Sequence, residues 1–164
     1  MLRLNQFFIS LYNAQVARKS SFHVPFSKHT WECAHALKHI GVVDSVSLKV
    51  QSLTGKDTGS IASELCLHGL PEQKTVYPKR SFSKPHIRCV LKYKNANPLV
   101  QRIILLSTPS RQLNWDFSTV VAQSGKPGNF LLLTQHGVLT EFEALQAKIG
   151  GLPLCRLFLH PWKV

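Results

Sequence analysis

At 164 residues the chain has room for one domain or two small ones, which excludes a large multidomain enzyme, and its 44% hydrophobic content suffices for an ordinary core. Twenty Lys and Arg stand against 8 Asp and Glu, a net charge of +12 with His neutral, although only 17% of residues are charged. The chain is basic because acids are scarce, and that field suits a polyanion, nucleic acid before an anionic membrane surface, and argues against a cationic substrate.

Glu32 is the first acid, and Arg3, Arg18, Lys19 and Lys28 precede it among Ser and apolar residues, a bias shared with mitochondrial transit signals. Residues 1–22 have neither the continuous apolar stretch nor the small-residue cleavage site of a secretory signal. Leu4, Phe7, Phe8 and Leu11 stand at i, i+3, i+4 and i+7, which predicts an amphipathic helix near residues 4–17. A polar turn with Pro25 follows, with room for a short strand at His23 and Val24. Trp31, Ala34, Leu37 and Ile40 predict a second helix, ended by Gly41. Val46, Leu48 and Val50 alternate with Ser45, Ser47 and Lys49 as a half-buried strand.

Residues 51–85 change character: Gly, Ser, Thr, Pro and Lys dominate, and the basic run Lys79, Arg80, Lys84 leads into Pro85. This reads as a long excursion with room for a short helix at residues 61–67, not as a core element. Regular pattern resumes with Ile87, Cys89, Leu91 and Tyr93 alternating with Arg88, Val90 and Lys92, then a turn at residues 95–98. Residues 99–106 read as a strand by length and β-branched content, and residues 107–111 as a turn or exposed connection. Residues 130–134 predict a buried strand, Gln135-His136-Gly137 a tight turn, and Val138 and Leu139 the start of its partner. Thr140-x-x-Glu143 matches a capping box opening a short helix through Lys148, which Gly150-Gly151 stops, and residues 154–159 form a closing strand. No internal repeat is visible, and no apolar run approaches the ~18–20 residues that span a bilayer.

Little of this carries catalytic chemistry. Cys33-x-His35 and Cys66-x-His68 lack zinc-site spacing, and His35 and His39, four apart on one helix, have no matching carboxylate, so no metal is expected. No G-x-S-x-G elbow is present, and Gly55-Lys56 and Gly125-Lys126 lack the rest of a P-loop. Neither an enzyme nor a cofactor or small-molecule site is expected. The four cysteines, Cys33, Cys66, Cys89 and Cys155, stand far apart and read as free thiols of a reducing compartment. Nucleic-acid binding fares better. Ser107, Thr108, Ser110, Arg111, Gln112 and Asn114 crowd one connection and Thr134, Gln135, His136 and Gly137 another, residue types that suit phosphate, ribose and base-edge hydrogen bonds but also make ordinary turns.

An ordered set of motifs resembles one family. Gly137-Val138-Leu139-Thr140-Glu141-x-Glu143-Ala144, then Gly150-Gly151 and Cys155, is similar to the C-terminal signature of the small-subunit ribosomal protein S-eight family, S-T-S-K-G-V-[ML]-T-D-x-E-A followed by a G-G pair and a Cys-containing strand. Upstream, Lys84-Pro85-x-Ile87-Arg88-x-Val90-Leu91-Lys92-Tyr93 matches its K-P-x-L-x-x-x-L-K-Y strand and Ser107-x-Pro109 its S-[RK]-P-G turn. Leu11-x-Asn13-Ala14 matches I-R-N-A, and Val24-Pro25-x-Ser27-Lys28 with Leu37 and Gly41 matches V-P-x-S-K…L…G-F. The resemblance covers about residues 4–50 and 84–158. The chain departs from it at Leu133-Thr134-Gln135, where only the central Thr of the S-T-S triplet is kept, and at His136, Ser110, Asn114 and Lys148. That drift, with the extra residues 51–83, suggests a mitochondrial member.

The resemblance implies an α/β (α+β) fold in two small subdomains. An N-terminal α-β-α-β-β unit spans residues 1–95 with an insertion at about 51–83, and a mostly β unit with a short helix spans residues 96–164. It implies a structural component of the small ribosomal subunit that binds a helix of the central domain of small-subunit rRNA, touches neighbouring small-subunit proteins, and works in the mitochondrial matrix. Thr134, Gln135, His136 and Gly137 are then the RNA-facing loop, with the turn Ser107, Thr108, Pro109, Ser110 and Arg111 beside it. Ser27, Lys28 and Asn13 give secondary contacts, and Lys126, like Arg111, binds phosphate regardless of sequence. The alternative is a basic RNA-binding or protein-adaptor module of the same fold acting off the ribosome.

Overall fold

A computed structural model describes residues 2–49, 85–95 and 97–160. The chain opens with α1 (Leu2–Val16), which buries the predicted stripe of Leu4, Phe7, Phe8 and Leu11 and leaves Ile9, Tyr12 and Val16 on its outer face. The predicted short strand is β1 (Ser21–Pro25). Ser27 starts α2 (Lys28–Ile40) by accepting the Thr30 N–H at 3.2 Å, while Thr30 Oγ1 accepts the Ser27 N–H, and Gly41 ends it in the left-handed conformation at φ 88°. β2 (Val43–Lys49) follows.

β3 (His86–Leu91) lies between β1 and β2, antiparallel to both, and alternates half-buried with buried residues as its sequence predicts. The expected excursion, with its helix at residues 61–67, its basic run and Cys66, lies outside the described residues. The turn near Asn95 is a small hairpin of β4 (Tyr93–Lys94) and β5 (Asn97–Pro98), with Asn95 at φ 52°.

The second sheet, ordered β6-β9-β7-β8, is antiparallel throughout. Its strands are β6 (Val100–Leu105), β7 (Asn129–Thr134), β8 (Gly137–Thr140) and β9 (Leu152–Leu159). The last strand in sequence is therefore interior to the sheet. It carries Pro153, which no regular central position would tolerate, at the register shift where Leu131 faces Cys155 but Leu132 faces Pro153.

β7 is buried on both faces, which explains its unbroken apolar run. Leu131 and Leu133 join a large core with Leu4, Phe8, Leu37 and Ile87, a core that includes residues of both sheets. Phe130 and Leu132 turn the other way, onto Trp115, Val120 and Ala144 beneath two short helices. One is α4 (Glu141–Ala147), opened by the predicted capping box: Thr140 Oγ1 accepts the Glu143 N–H at 3.4 Å and Glu143 Oε2 accepts the Thr140 N–H at 2.8 Å. The other, α3 (Phe117–Ser124), has no counterpart in the sequence reading. Its β-branched residues have weak helix propensity, and its Asp116 makes no side-chain cap; burial of Val120 against the sheet holds it. Arg156, buried on β9, ties this helix down by donating to the Gln123 carbonyl at 3.3 Å and to Gln123 Oε1 at 3.1 Å, with its guanidinium 5.8 Å from the centre of the Phe130 ring.

One expectation needs correcting. Gly150 and Gly151 do not stop α4, which ends at Lys148 in the left-handed conformation (φ 56°). The glycines are required by space. A Cβ on Gly151 would sit 2.6 Å from the Leu133 carbonyl, and Gly151 exchanges both backbone hydrogen bonds with Trp115 at 2.8 and 2.9 Å.

Candidate nucleic-acid interface

β6 and β7 flank β9 and run in the same direction, so their C-terminal ends lie at one end of the sheet, about 10 Å apart across the intervening strand. Both polar turns issue from this end. Leu105 pairs with Cys155 just before Ser107, and Leu133 pairs with Leu152 just before Thr134. Residues separated by more than twenty positions in sequence thus share one surface.

In the β7–β8 turn, Thr134 closes the hairpin against Gly137. Gln135 and His136 are exposed and form a two-residue turn, both at negative φ, and Gly137 follows at φ 109°, a conformation that favours glycine. The Thr134 hydroxyl donates to the Gly137 carbonyl at 3.0 Å and accepts the His136 N–H at 3.2 Å. It shapes the turn, and one lone pair remains for an outside donor.

The second turn is equally tight. Thr108 and Arg111 exchange backbone hydrogen bonds at 3.0 and 3.1 Å around the exposed Pro109 and Ser110, and the Thr108 and Ser110 hydroxyls lie 3.4 Å apart. Arg111 is exposed. Ser107 is not: it is 1% exposed, and its hydroxyl accepts the Leu113 N–H at 3.4 Å. Its side chain braces the turn from inside, which corrects the expectation that it faces outward.

α2 completes the surface. A Cβ on Gly137 would lie 3.3 Å from the Glu32 carboxyl, so this helix packs against the hairpin, and farther along His39 Nδ1 lies 3.7 Å from Glu143 Oε1. Lys28, exposed, stands one turn before Glu32 and therefore on the turn side of Gly137. Ser27 is beside it, its hydroxyl engaged in capping. Glu32 and His29, paired at 3.4 Å, also border the turn. No sequence spacing signalled them, because only the packing of α2 on β8 brings them there.

Two expected contacts lie elsewhere. Lys126 is exposed but precedes β7, at the far end of the strand from Thr134, about 17–20 Å away. Asn13 is exposed on α1 two residues before Gln15, whose Oε1 accepts the Val100 N–H at 3.1 Å at the opposite end of β6 from the Ser107 turn. Between α2 and α4 runs a cleft of about 460 Å³ bordered by Glu141, Glu143 and the exposed Phe142, with no Lys or Arg among its described lining residues. Its carboxylates give it a sign that disfavours a polyanion.

Of the two cysteine–histidine pairs noted in the sequence, Cys33 and His35 lie among the described residues, and both serve packing. Burial pushes the Cys89 thiol up to about 12 and raises the Cys33 and Cys155 thiols as well, and all three are buried in the core. His35 stacks edge-on to Trp31 with centroids 4.7 Å apart, and burial, then Lys38 and His39, lower its pKa. Among the described residues no group of three or more His, Cys, Asp or Glu side chains is placed to hold a metal, and no helix is long and apolar enough to cross a membrane.

Among the described residues, antiparallel sheets of three and four strands backed by helices, with polar turns gathered at one end of the larger sheet of a basic chain, define an α+β protein whose site presents hydrogen-bonding and cationic groups. The chain belongs to the Ribosomal protein S8 family, whose model matches residues 3–158. It is 30% identical over 76 residues to the small ribosomal subunit protein uS8 of Pelagibacter ubique, a match spanning 46% of this chain and 58% of that protein. Longer matches join it to uS8 of a Wolbachia strain from Brugia malayi, 28% identical over 94% of this chain and 95% of that one, and to uS8m of Schizosaccharomyces pombe, 25% identical over 95% and 99%. Members of this family are structural ribosomal proteins, not enzymes.

Proposed function

We propose that this protein is a structural component of the small ribosomal subunit that binds the central domain of small-subunit rRNA directly, supports assembly and translation, and works in the mitochondrial matrix beside neighbouring small-subunit proteins. The observation that carries the reading is the convergence of the two polar turns and the Lys28 end of α2 at one end of the β6-β9-β7-β8 sheet. Gln135, His136, Thr108, Pro109, Ser110 and Arg111 form its RNA-facing surface. Thr134, Gly137, Ser107 and Ser27 hold that surface in shape, while Lys126 and Asn13 reach RNA at other points. Residues 96–164 form the unit that carries the site, and residues 1–95, with the insertion at about 51–83, the unit that buttresses it.

The matrix assignment rests on the acid-free stretch before Glu32 and on the uS8m relative. Sedimentation of a tagged chain from fractionated cells is the test. Co-migration with mitochondrial small subunits through moderate salt, and tight binding of the purified protein to a central-domain fragment, are the expected results. Residence in light fractions would favour an adaptor acting off the ribosome, and recovery from cytosol or plastids would refute the compartment.

A further inference from the structure

The β1-β3-β2 sheet has a second face, and its register fixes what that face carries. Ile87, Cys89, Phe22 and Val24 point into the core, so their neighbours point out. His23, Arg88 and Ser47 form one cross-strand row, and Pro25, His86 and Lys49 form the next. Side chains within a row stand about 5 Å apart and successive rows about 7 Å. Four nitrogen-bearing side chains therefore fall within one small area, and among residues 21–25, 45–49 and 86–90 there is no acid.

The four are not arranged for the fold's own benefit. Like charges opposite one another oppose sheet formation, and none of the four stands in an ion pair among the described residues. Burial, then Lys49, Arg88 and His86, depress the pKa of His23, a sign that positive charge accumulates here without compensation. The Arg88 Nε–H is turned away from water and donates to no group among the described residues. Such a surface, without a compensating acid among the described residues, is complementary to phosphate.

We propose that this outer sheet face, with Lys49, Arg88, His86 and His23, is a second RNA-backbone contact, separate from the two turns of the other sheet. The face offers no large apolar anchor, and its remaining members are Ser21, Ser45, Ser47, Pro25 and Val90. It lacks the aromatic or aliphatic centre of a protein interface, whereas hydroxyls and single-sign charge are the groups that hold phosphates. His86 and Arg88 also occupy positions that the family's strand pattern leaves open, so the contact belongs to this chain's own sequence.

The inference rests on the proposed rRNA-binding function and is tested so that the two can fail separately. Binding of the full chain to a small-subunit central-domain fragment is measured across a salt series, for wild type and for Lys49→Gln combined with Arg88→Gln. The slope of log affinity against log salt should fall by about two, one for each phosphate contact removed. A photo-reactive residue placed at position 47 of the chain in assembled small subunits should form an adduct with rRNA, a readout that needs no destabilising change. An unchanged slope, or an adduct with protein alone or none at all, would overturn the sheet face as an RNA contact while leaving the turns intact. A wild-type chain that neither joins the small subunit nor binds rRNA would instead overturn the function on which it rests.

Discussion

Replacing Thr134 by Val removes one hydroxyl from a half-buried position and leaves the branched shape in place. The structure gives that hydroxyl two partners, the Gly137 carbonyl at 3.0 Å and the His136 N–H at 3.2 Å. His136 is exposed, so water can replace the second bond. The first holds the ends of the turn and should contribute about 1 kcal/mol net. For a chain of this length that corresponds to a fall in Tm of roughly 2–4 °C. RNA binding should fall further, because the variant loses both the turn's shape and the lone pair left for a ribose or base donor; one neutral hydrogen bond of about 1–1.4 kcal/mol is roughly tenfold in affinity. Affinity is compared on a central-domain fragment and an unrelated hairpin at one salt concentration, with Thr134→Ser as the variant that restores the hydroxyl. Val should lose affinity for the central-domain fragment alone, and Ser should recover it. Equal loss on both RNAs, or no loss, would mean that binding is diffuse charge and the hydroxyl is only part of the hairpin.

Further outcomes follow from the same geometry. Gly137→Ala places a Cβ at φ 109° beside the Glu32 carboxyl, which can swing away, so the backbone term dominates; a loss of about 1–2 kcal/mol in denaturant unfolding is expected, and an unchanged midpoint would contradict the turn assignment. Gly151→Ala drives a Cβ against the Leu133 carbonyl, which is backbone and cannot yield, so about 1–3 kcal/mol should be lost, and a wild-type Tm would show that the close approach is wrong. Because Leu4, Phe7, Phe8 and Leu11 are core residues, mass spectrometry of the mature protein should find α1 retained, and detection of a chain cleaved after it would refute that. In a Cys66→Ser background the native protein at pH 8 should resist thiol reagents at Cys33, Cys89 and Cys155, and rapid modification of any of the three would refute their burial. The folded thiols ionise above the ordinary value near 8.5, so stability should be complete below about pH 8 and decline as pH rises and the unfolded chain's thiols deprotonate, read as a falling denaturation midpoint.

Local pattern determined much of this protein. The spacing of Leu4, Phe7, Phe8 and Leu11, the alternation at Ile87, Cys89 and Leu91, the Gly41 stop and the Thr140–Glu143 capping box each depend on neighbours within one turn or one strand, and each is legible in the chain. Where the cause was not local, the sequence was silent or misleading. α3 exists because Val120 finds Phe130 and Trp115 beneath it, not because its residues favour a helix. Gly150 and Gly151 look like a helix stop but answer to Trp115 and Leu133, which approach from other elements. The turn residues were recognisable from composition and family pattern. That Ser107 points inward, that Lys126 and Asn13 lie beside the ends of β7 and β6 farthest from the turns, and that Lys28, His29 and Glu32 border the β7–β8 turn follow from strand order and from the packing of the helices on the sheets. Those are contacts between residues up to about a hundred positions apart, and no periodicity within a segment can encode them.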